Sequence, residues 1–245
     1  MKYFDHIAPS YDHLRGKEIL PAVISSVSSI AKRGETVIDI ATGTGLFGVS
    51  LSERGYRVIG VDASPSMLAK ARHKAAQLGT DYHAARAAAE HLPFQTDSVR
   101  VMLSTNAIHH FDIRFHLAEV QRVLKPGGSY IIFTRFAEQN ARSIWGRLFP
   151  DFAVKEDRLY SAKDFIRLDR EFPQLLLEEM EELAFTKPFS RHRLLKTARQ
   201  RKYSTFARYS DDDFHSALRV FERRLQNWRE EHYIAEIGRL VFRAQ

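Results

Sequence analysis

The sequence predicts an α/β fold: a seven-stranded, mostly parallel sheet with helices on both faces. Short apolar runs typical of strands alternate with helix-like stretches along the first half of the chain. Strands separated by helices pair in parallel through right-handed crossovers. A glycine turn, Gly43-Thr44-Gly45, joins one of these runs to the start of a helix. A chain of 245 residues is long enough for one such domain with an inserted element.

The elements follow in order along the chain. Residues 2–30 are predicted to be helical, because apolar side chains recur there at helical spacing. Five strand-like runs follow, at residues 36–41, 57–62, 80–86, 98–104 and 129–136. Helix-like stretches between them lie at residues 45–54, 65–77 and 113–123. Residues 175–189 are predicted to form a sixth strand, with a helix as the competing interpretation because of their glutamates, and residues 237–243 a seventh.

Composition excludes several kinds of site. The chain has no cysteine, which excludes disulfides, thiolate zinc sites and a thiol nucleophile. No apolar run approaches the roughly 18 residues of a membrane-spanning helix, and the first residues lack the apolar stretch of a secretory signal. We therefore expect a cytoplasmic location and no membrane span. The formal net charge of +7 is a mild preference for anionic partners.

The glycine turn has a spacing that two kinds of cofactor site share. Gly43, Gly45 and Gly48 fit G-x-G-x-x-G directly after a strand. Asp62 ends the next strand about 20 residues later, where an acid binds a ribose hydroxyl. That spacing alone predicts a dinucleotide site. Asp39 argues against it, because a carboxylate just ahead of the loop would repel a pyrophosphate. S-adenosylmethionine has an ammonium, a sulfonium and no phosphate, so the pattern favours it as cofactor.

Further segments accompany the glycine loop in a fixed order. They are residues 3–5, 8–12, 63–71, 89–94, 98–104 and 124–133. Together these segments resemble the class I S-adenosylmethionine-dependent methyltransferases, and especially the small-molecule branch of ubiquinone and menaquinone biosynthesis methyltransferases. The resemblance covers about residues 1–136. It implies a Rossmann-like fold and methyl transfer to a small molecule.

The expected cofactor site follows from these residues and from the resemblance. Gly43 and Gly45 let the backbone approach the methionine part of the cofactor closely. Asp39 is expected to attract the ammonium, and Asp62 to accept hydrogen bonds from both ribose hydroxyls. Met67 resembles the residue that covers one adenine face. The complete expected set is Tyr11, Asp39, Ala41, Gly43, Gly45, Asp62, Ala63, Met67, Ala89, Glu90 and Ser104.

Several of these positions have alternative interpretations. Asp39 can cap a helix, Met67 can be ordinary core, and Tyr11 can pack the N-terminal helix instead of closing over the cofactor. The backbone carbonyl of Ser104, expected at the end of the fourth strand, would meet the methionine amine. Related sequences usually carry Asp where this chain has Ala88, so the adenine amino contact is absent or comes from Glu90.

Two adjacent histidines follow the fourth strand, where family members place residues beside the transferred methyl group. His109 and His110 are the candidates for a general base, because an imidazole has a suitable pKa. The alternative is that one histidine packs and the other is solvated. No H-x-x-x-H or H-E-x-x-H pattern occurs among the 11 histidines, so no metal is expected.

An insertion is predicted between the last two strands, which form an antiparallel pair in the family. Residues 1–189 and 233–245 then form the core, and residues 190–232 form a helical substrate cap over the carboxyl ends of the parallel strands. Its second helix has an apolar stripe at helical spacing, for which simple packing is the plainer interpretation. The stripe consists of Leu218, Phe221, Leu225 and Trp228.

A basic stretch overlaps this insertion, because residues 184–210 contain no acid. The basic residues are Lys187, Arg191, Arg193, Lys196, Arg199, Arg201, Lys202 and Arg208. They can follow RNA phosphates, hold an anionic group on a small substrate, or form a solvated helix surface. Three functions therefore compete: a small-molecule methyltransferase, which the motifs favour, an RNA methyltransferase, and a non-enzymatic cofactor-binding protein of the same fold.

Overall fold

The seven-stranded sheet that the sequence predicts is present in the computed structural model, which describes residues 17–245. Its strands lie in the order β3-β2-β1-β4-β5-β7-β6. Strands β1 to β5 pair in parallel. The strands are β1 (Thr36–Ile40), β2 (Arg57–Asp62), β3 (Tyr82–Arg86), β4 (Val99–Thr105), β5 (Leu124–Thr134), β6 (Leu175–Pro188) and β7 (His232–Ala244). The chain order reverses between β1 and β4, and ligands bind at such switch points in open α/β sheets.

Helices connect these strands in the described part of the chain. Those of the first half are α1 (Leu20–Ile30), α2 (Leu46–Ser52), α3 (Pro65–Leu78) and α4 (Ile113–Val123). Those of the second half are α5 (Ala137–Arg142), α6 (Ile144–Leu148), α7 (Phe152–Lys155), α8 (Ala162–Glu171), α9 (Arg191–Arg199) and α10 (Asp211–Gln226). None of the helices in residues 17–245 is long and apolar enough to cross a membrane. The cytoplasmic location stays a prediction.

The glutamate-rich segment after α8 is a strand, which resolves the competition between strand and helix. Its backbone bonds to β7 in antiparallel order: the Gln245 N–H donates to Gln174 at one end, and the Phe189 N–H to Glu231 at the other. Strand spacing also places Glu179 and Glu181 on one face. There the Arg239 guanidinium donates to both carboxylates, at 2.6 and 2.9 Å. These contacts neutralise the charge that made a helix plausible.

The described residues divide into two compact units. The first unit contains residues 17–134, 165–181 and 239–245, and the second unit contains residues 135–164 and 182–238. The second unit therefore contains the predicted insertion, residues 190–232, together with residues 135–164, 182–189 and 233–238, which the sequence places in the core.

An aromatic cluster explains why residues 135–164 belong to the second unit. The Trp145 ring stacks on Phe221 of α10, with ring centroids 5.2 Å apart. Phe149 is fully buried and packs against Phe206 at 5.0 Å. Phe221 and Leu225 of the apolar stripe are also buried, so much of the stripe forms core of this unit. The sequence pattern showed the stripe, but Trp145 and Phe149, which pack on Phe221, lie more than 70 positions earlier in the chain.

The basic stretch is partly neutralised within the second unit. Arg199 pairs with Glu222 at 2.8 Å, and Arg201 pairs with Asp211 at 2.7 Å. The Arg201 guanidinium also lies over the Phe214 ring, 4.0 Å from its centroid. Acids outside the stretch therefore supply partners that the local sequence lacks. Of these two arginines Arg201 also packs on an aromatic ring, and the charge of both is partly offset by an acid.

Candidate functional site

A cavity of about 390 Å³ lies within the first unit, at the carboxyl ends of the parallel strands. Its volume falls in the range of small-molecule sites. Seven of the expected cofactor contacts line it: Ala41, Gly43, Asp62, Ala63, Met67, Ala89 and Glu90. A second, smaller cavity of about 30 Å³ is lined by Asp39 and by the glycine loop. Ala41, Gly43, Thr105 and Asn106 line both cavities, so they form a shared wall.

Asp62 ends β2 with its carboxylate held by two backbone groups. Oδ2 accepts a hydrogen bond from the Gly43 N–H at 2.9 Å, and Oδ1 accepts one from the Ser64 N–H at 2.8 Å. Each carboxylate oxygen can accept a second hydrogen bond. The backbone therefore fixes the orientation of a half-buried acid that lines the cavity. This geometry suits a pair of neighbouring hydroxyls on a ligand.

Asp39 is buried beneath the glycine loop, with only 2% of its surface exposed. Thr42 Oγ1 donates to Asp39 Oδ2 at 2.6 Å, and the Tyr82 hydroxyl lies 3.1 Å from the same Thr42 oxygen. Burial raises the pKa of Asp39 to about 7, although the hydrogen bonds from Thr42 and Gly48 oppose the rise. Burial likewise raises the pKa of Tyr82 above its ordinary value. Asp39 is thus a desolvated carboxylate that a nearby cation would stabilise.

The two glycines of the loop, Gly43 and Gly45, differ in their surroundings. At Gly45, φ is +75° and an added Cβ would lie 2.9 Å from the Ala71 side chain of α3. Gly45 does not line either cavity. A glycine is required here for the start of α2 and for its packing on α3, and the close approach of Gly45 to a cofactor stays a prediction. Gly43, with φ +58°, does line both cavities.

Two other glycines make room for the Asp39 network. A Cβ at Gly48 would lie 2.7 Å from Asp39 Oδ2. A Cβ at Gly60 would lie 2.0 Å from the Tyr82 hydroxyl. The G-x-G-x-x-G spacing thus reflects helix–strand packing around a buried acid, as well as the turn itself.

The helix that follows Asp62 begins as the sequence predicts. Ser64 is the N-cap, and its hydroxyl accepts a hydrogen bond from the Met67 N–H at 3.3 Å, with Pro65 in the first turn. Met67 is 2% exposed and lines the cavity. The two interpretations of Met67 are therefore compatible, because one side chain is both core and cavity wall.

The segment after β3 forms the opposite wall. Ala88 and Ala89 present small apolar side chains, and Glu90 Oε1 accepts a hydrogen bond from the Asp112 N–H at 2.9 Å. Glu90 is thereby tied to the start of α4. Where related sequences usually carry an acid, this wall is apolar at position 88. An amino group of a ligand can therefore be met only by a neighbouring residue.

The end of β4 lies one residue later than expected. Ser104 is fully buried inside the strand, and Thr105 is its last residue. The cavity wall begins at Thr105 and continues with Asn106, and the contact of the Ser104 carbonyl with a methionine amine stays a prediction. Asn106 and Ala41 both have positive φ, +54° and +53°. Strained backbone of this kind concentrates at functional sites. In the sequence, the only sign of a strained position at residue 106 is that asparagine tolerates positive φ better than most residues.

The two candidate histidines lie in a 3₁₀ turn, Ile108–His110, directly after this wall. Their rings are 4.0 Å apart between centroids. His110 lines the cavity, whereas His109 is not among the lining residues. Tyr11 lies outside the described residues. Residues 17–245 contain no group of His, Asp and Glu side chains that could hold a metal ion.

The residues present fit S-adenosylmethionine better than a dinucleotide. Ala63, Met67 and Phe111 give the cavity apolar walls for a flat base, and Asp62 gives it a fixed hydroxyl acceptor. No arginine or lysine of the described chain lines either cavity. A pyrophosphate would therefore lie near Asp39 and Asp62 without a cation to neutralise it, whereas a cationic amino acid moiety is compatible with both.

Comparisons with known proteins agree with this geometry. Residues 37–128 match the family model described as a methyltransferase domain. The chain is 34% identical over 141 residues to a demethylmenaquinone methyltransferase of Chlorobaculum parvum, which covers 53% of the chain. The chain spans 57% of the length of that relative.

Solved structures share the fold at lower identity. A putative methyltransferase from an antibiotic biosynthesis pathway of Anabaena variabilis superposes with a TM-score of 0.70 at 20% identity, covering 92% of this chain and 97% of that one. Phosphoethanolamine N-methyltransferase 2 of Haemonchus contortus, solved with S-adenosyl-L-methionine, gives 0.64 at 18% identity, covering 100% of this chain and 58% of that one. Residues 37–128 are therefore a methyltransferase domain, and the sheet order and strand-end cavity are those of the Rossmann-like methyltransferase fold.

Proposed function

We propose that this chain transfers a methyl group from S-adenosylmethionine to a small-molecule acceptor. The observation that carries the proposal is Asp62, an acid fixed by two backbone N–H groups at the mouth of β2. It faces a cavity with apolar walls and lies near the buried carboxylate of Asp39. Together these groups can bind a ligand that carries hydroxyls, a flat base and a positive charge.

Different residues of the two cavities are proposed to bind different parts of the cofactor. Asp62 holds and orients the ribose part, and Met67 with Ala89 encloses the base. Asp39 supplies a negative charge below the shared wall at Gly43. The bound cofactor supplies an electrophilic methyl group on a sulfonium. The chain then has to align the acceptor and exclude water from the methyl group.

His110 is the proposed general base for an acceptor that must lose a proton, because it alone of the two histidines lines the cavity. We expect His110→Ala to lower kcat by about 100-fold, the low end for general-base catalysis, because the leaving group is already activated. The affinity for S-adenosylhomocysteine should stay within about twofold. Single-turnover assays and calorimetry measure the two quantities. His109→Ala is the matched control, and an equal loss of kcat in both variants would contradict the assignment.

Residues outside 37–128 are proposed to select the acceptor, because the matched domain is common to methyltransferases of different substrates. The relative in Chlorobaculum parvum is named for demethylmenaquinone, so an isoprenoid quinone is a reasonable first acceptor. RNA is disfavoured, since Arg199, Arg201 and Arg208 of the basic stretch are ion-paired with acids.

The proposed function predicts where a labelled methyl group goes. S-adenosylmethionine with a radioactive methyl group is incubated with the protein, demethylated quinones and a small-molecule extract, and in parallel with transfer RNA. We expect label in the small-molecule fraction. Label in RNA would support the RNA methyltransferase instead, and tight cofactor binding without any transfer would support the non-enzymatic protein.

A further inference from the structure

One histidine that the sequence patterns did not single out holds the wall of the cavity. His116 lies on α4 and is completely buried. Its Nδ1 is 2.8 Å from the Ala89 carbonyl oxygen, and its Nε2 is 2.8 Å from the Tyr130 hydroxyl. A carbonyl oxygen can only accept, so Nδ1 carries the hydrogen and Nε2 accepts from Tyr130. The two contacts thus fix a single tautomer and a single ring orientation.

The same side chain touches a second wall residue. The Phe111 ring packs on the imidazole, with centroids 4.7 Å apart, and Phe111 lines the cavity as Ala89 does. Burial lowers the pKa of His116 to about 4, so the imidazole is neutral at physiological pH and the tautomer persists. His116 does not line the cavity itself. Any effect on a ligand must act through Ala89 and Phe111.

We propose that His116 is a positioning residue that sets the base-binding wall formed by residues 88–90 and Phe111. This inference rests on the proposed function, because it takes that wall as the adenine side of the cofactor site. Ala88 and Ala89 line the cavity, and their side chains are only methyl groups. Polar contacts from this segment to a base must therefore come from its backbone, whose position decides which edge of the base is contacted. The Nδ1–H of His116 holds that backbone by donating to the Ala89 carbonyl.

Two amide substitutions separate this role from simple packing. In His116→Asn the side-chain nitrogen can take the place of Nδ1 and still donate to the Ala89 carbonyl. In His116→Gln the amide reaches toward the position of Nε2 and Tyr130, so the Ala89 contact is lost. Both variants remove an aromatic ring from the same buried site. If His116 only fills space, the two variants should bind cofactor with similar affinity. If it positions the wall, His116→Asn should keep the affinity of the wild type and His116→Gln should lose it.

The first measurement is the affinity of each variant for S-adenosylhomocysteine by calorimetry. Thermal unfolding confirms that each variant is folded. We expect His116→Gln to weaken S-adenosylhomocysteine binding at least tenfold and His116→Asn to stay within about threefold of the wild type. S-inosylhomocysteine, which lacks the adenine amino group, should lose less affinity in the Gln variant. Equal weakening in both variants, or in neither, would overturn the positioning role.

The second measurement requires no ligand. Amide hydrogen exchange of residues 88–92 should accelerate at least fivefold in His116→Gln and stay near the wild-type rate in His116→Asn, while the strands keep their protection. Equal exchange in the two variants would overturn the inference. If the wild type binds no S-adenosylhomocysteine, the proposed function fails, and the exchange experiment still decides whether His116 positions the wall.

Discussion

Replacing Asp62 with alanine should weaken S-adenosylhomocysteine binding about 100-fold. The carboxylate is the expected acceptor for two ribose hydroxyls, and hydrogen bonds to a charged group contribute about 1.5 to 3 kcal/mol each. A loss of about 3 kcal/mol corresponds to that change in Kd. The fold should survive, because the Gly43 and Ser64 N–H groups that Asp62 accepts from are only partly buried and can be solvated.

Calorimetric titration of the wild type and the variant measures this difference. Asp81→Ala is a matched control, since Asp81 is an exposed acid that pairs with His83 at 3.2 Å. The control should bind like the wild type. An Asp62→Ala variant that binds within about threefold of the wild type would contradict the role given to Asp62.

Replacing Asp39 with asparagine should stabilise the ligand-free protein at alkaline pH and weaken cofactor binding. Burial in the folded protein raises the pKa of Asp39 from its ordinary value of 3.8 to about 7. An acid whose pKa is raised by folding reduces stability as pH rises from the unfolded pKa through the folded one. The difference corresponds to about 4 kcal/mol at pH 9, and it should vanish below about pH 4.

Denaturant unfolding across this pH range measures the effect as the difference between Asp39→Asn and the wild type, which cancels the titration of other groups. The amide can keep a hydrogen bond with Thr42, so packing is conserved. Above pH 7 the variant should also bind S-adenosylhomocysteine at least tenfold more weakly, because the negative charge that we propose attracts the ligand ammonium is lost. A variant that is less stable than the wild type at pH 9 and binds normally would contradict both statements.

The parallel sheet could be predicted because its information is local. Apolar runs, the Ser64 cap and the Asp39 to Asp62 spacing each lie within a short segment, and all appear in the structure. Seven of the expected cofactor contacts meet in one cavity for the same reason. The spacing of motifs along the chain fixes which strand ends meet.

Other features depend on partners that are distant in sequence. The role of Gly45 is decided by Ala71 on another helix, and that of Arg201 by Asp211 and Phe214. The structural role of His116 has no local sequence signal, because its partners, Ala89 and Tyr130, lie in other parts of the fold. No local pattern distinguishes it from a surface histidine. The positive φ of Asn106 likewise depends on where β4 ends. The strand ends at Thr105, one residue later than predicted.

The most direct test of the cofactor assignment is calorimetric titration of the whole chain with S-adenosylhomocysteine and, separately, with NAD. The buried Asp39, the fixed Asp62 and cavity walls without arginine or lysine predict binding of S-adenosylhomocysteine in the micromolar range, about −8 kcal/mol, and no detectable binding of NAD. Binding of NAD with comparable affinity, or no binding of S-adenosylhomocysteine, would contradict the assignment of this site.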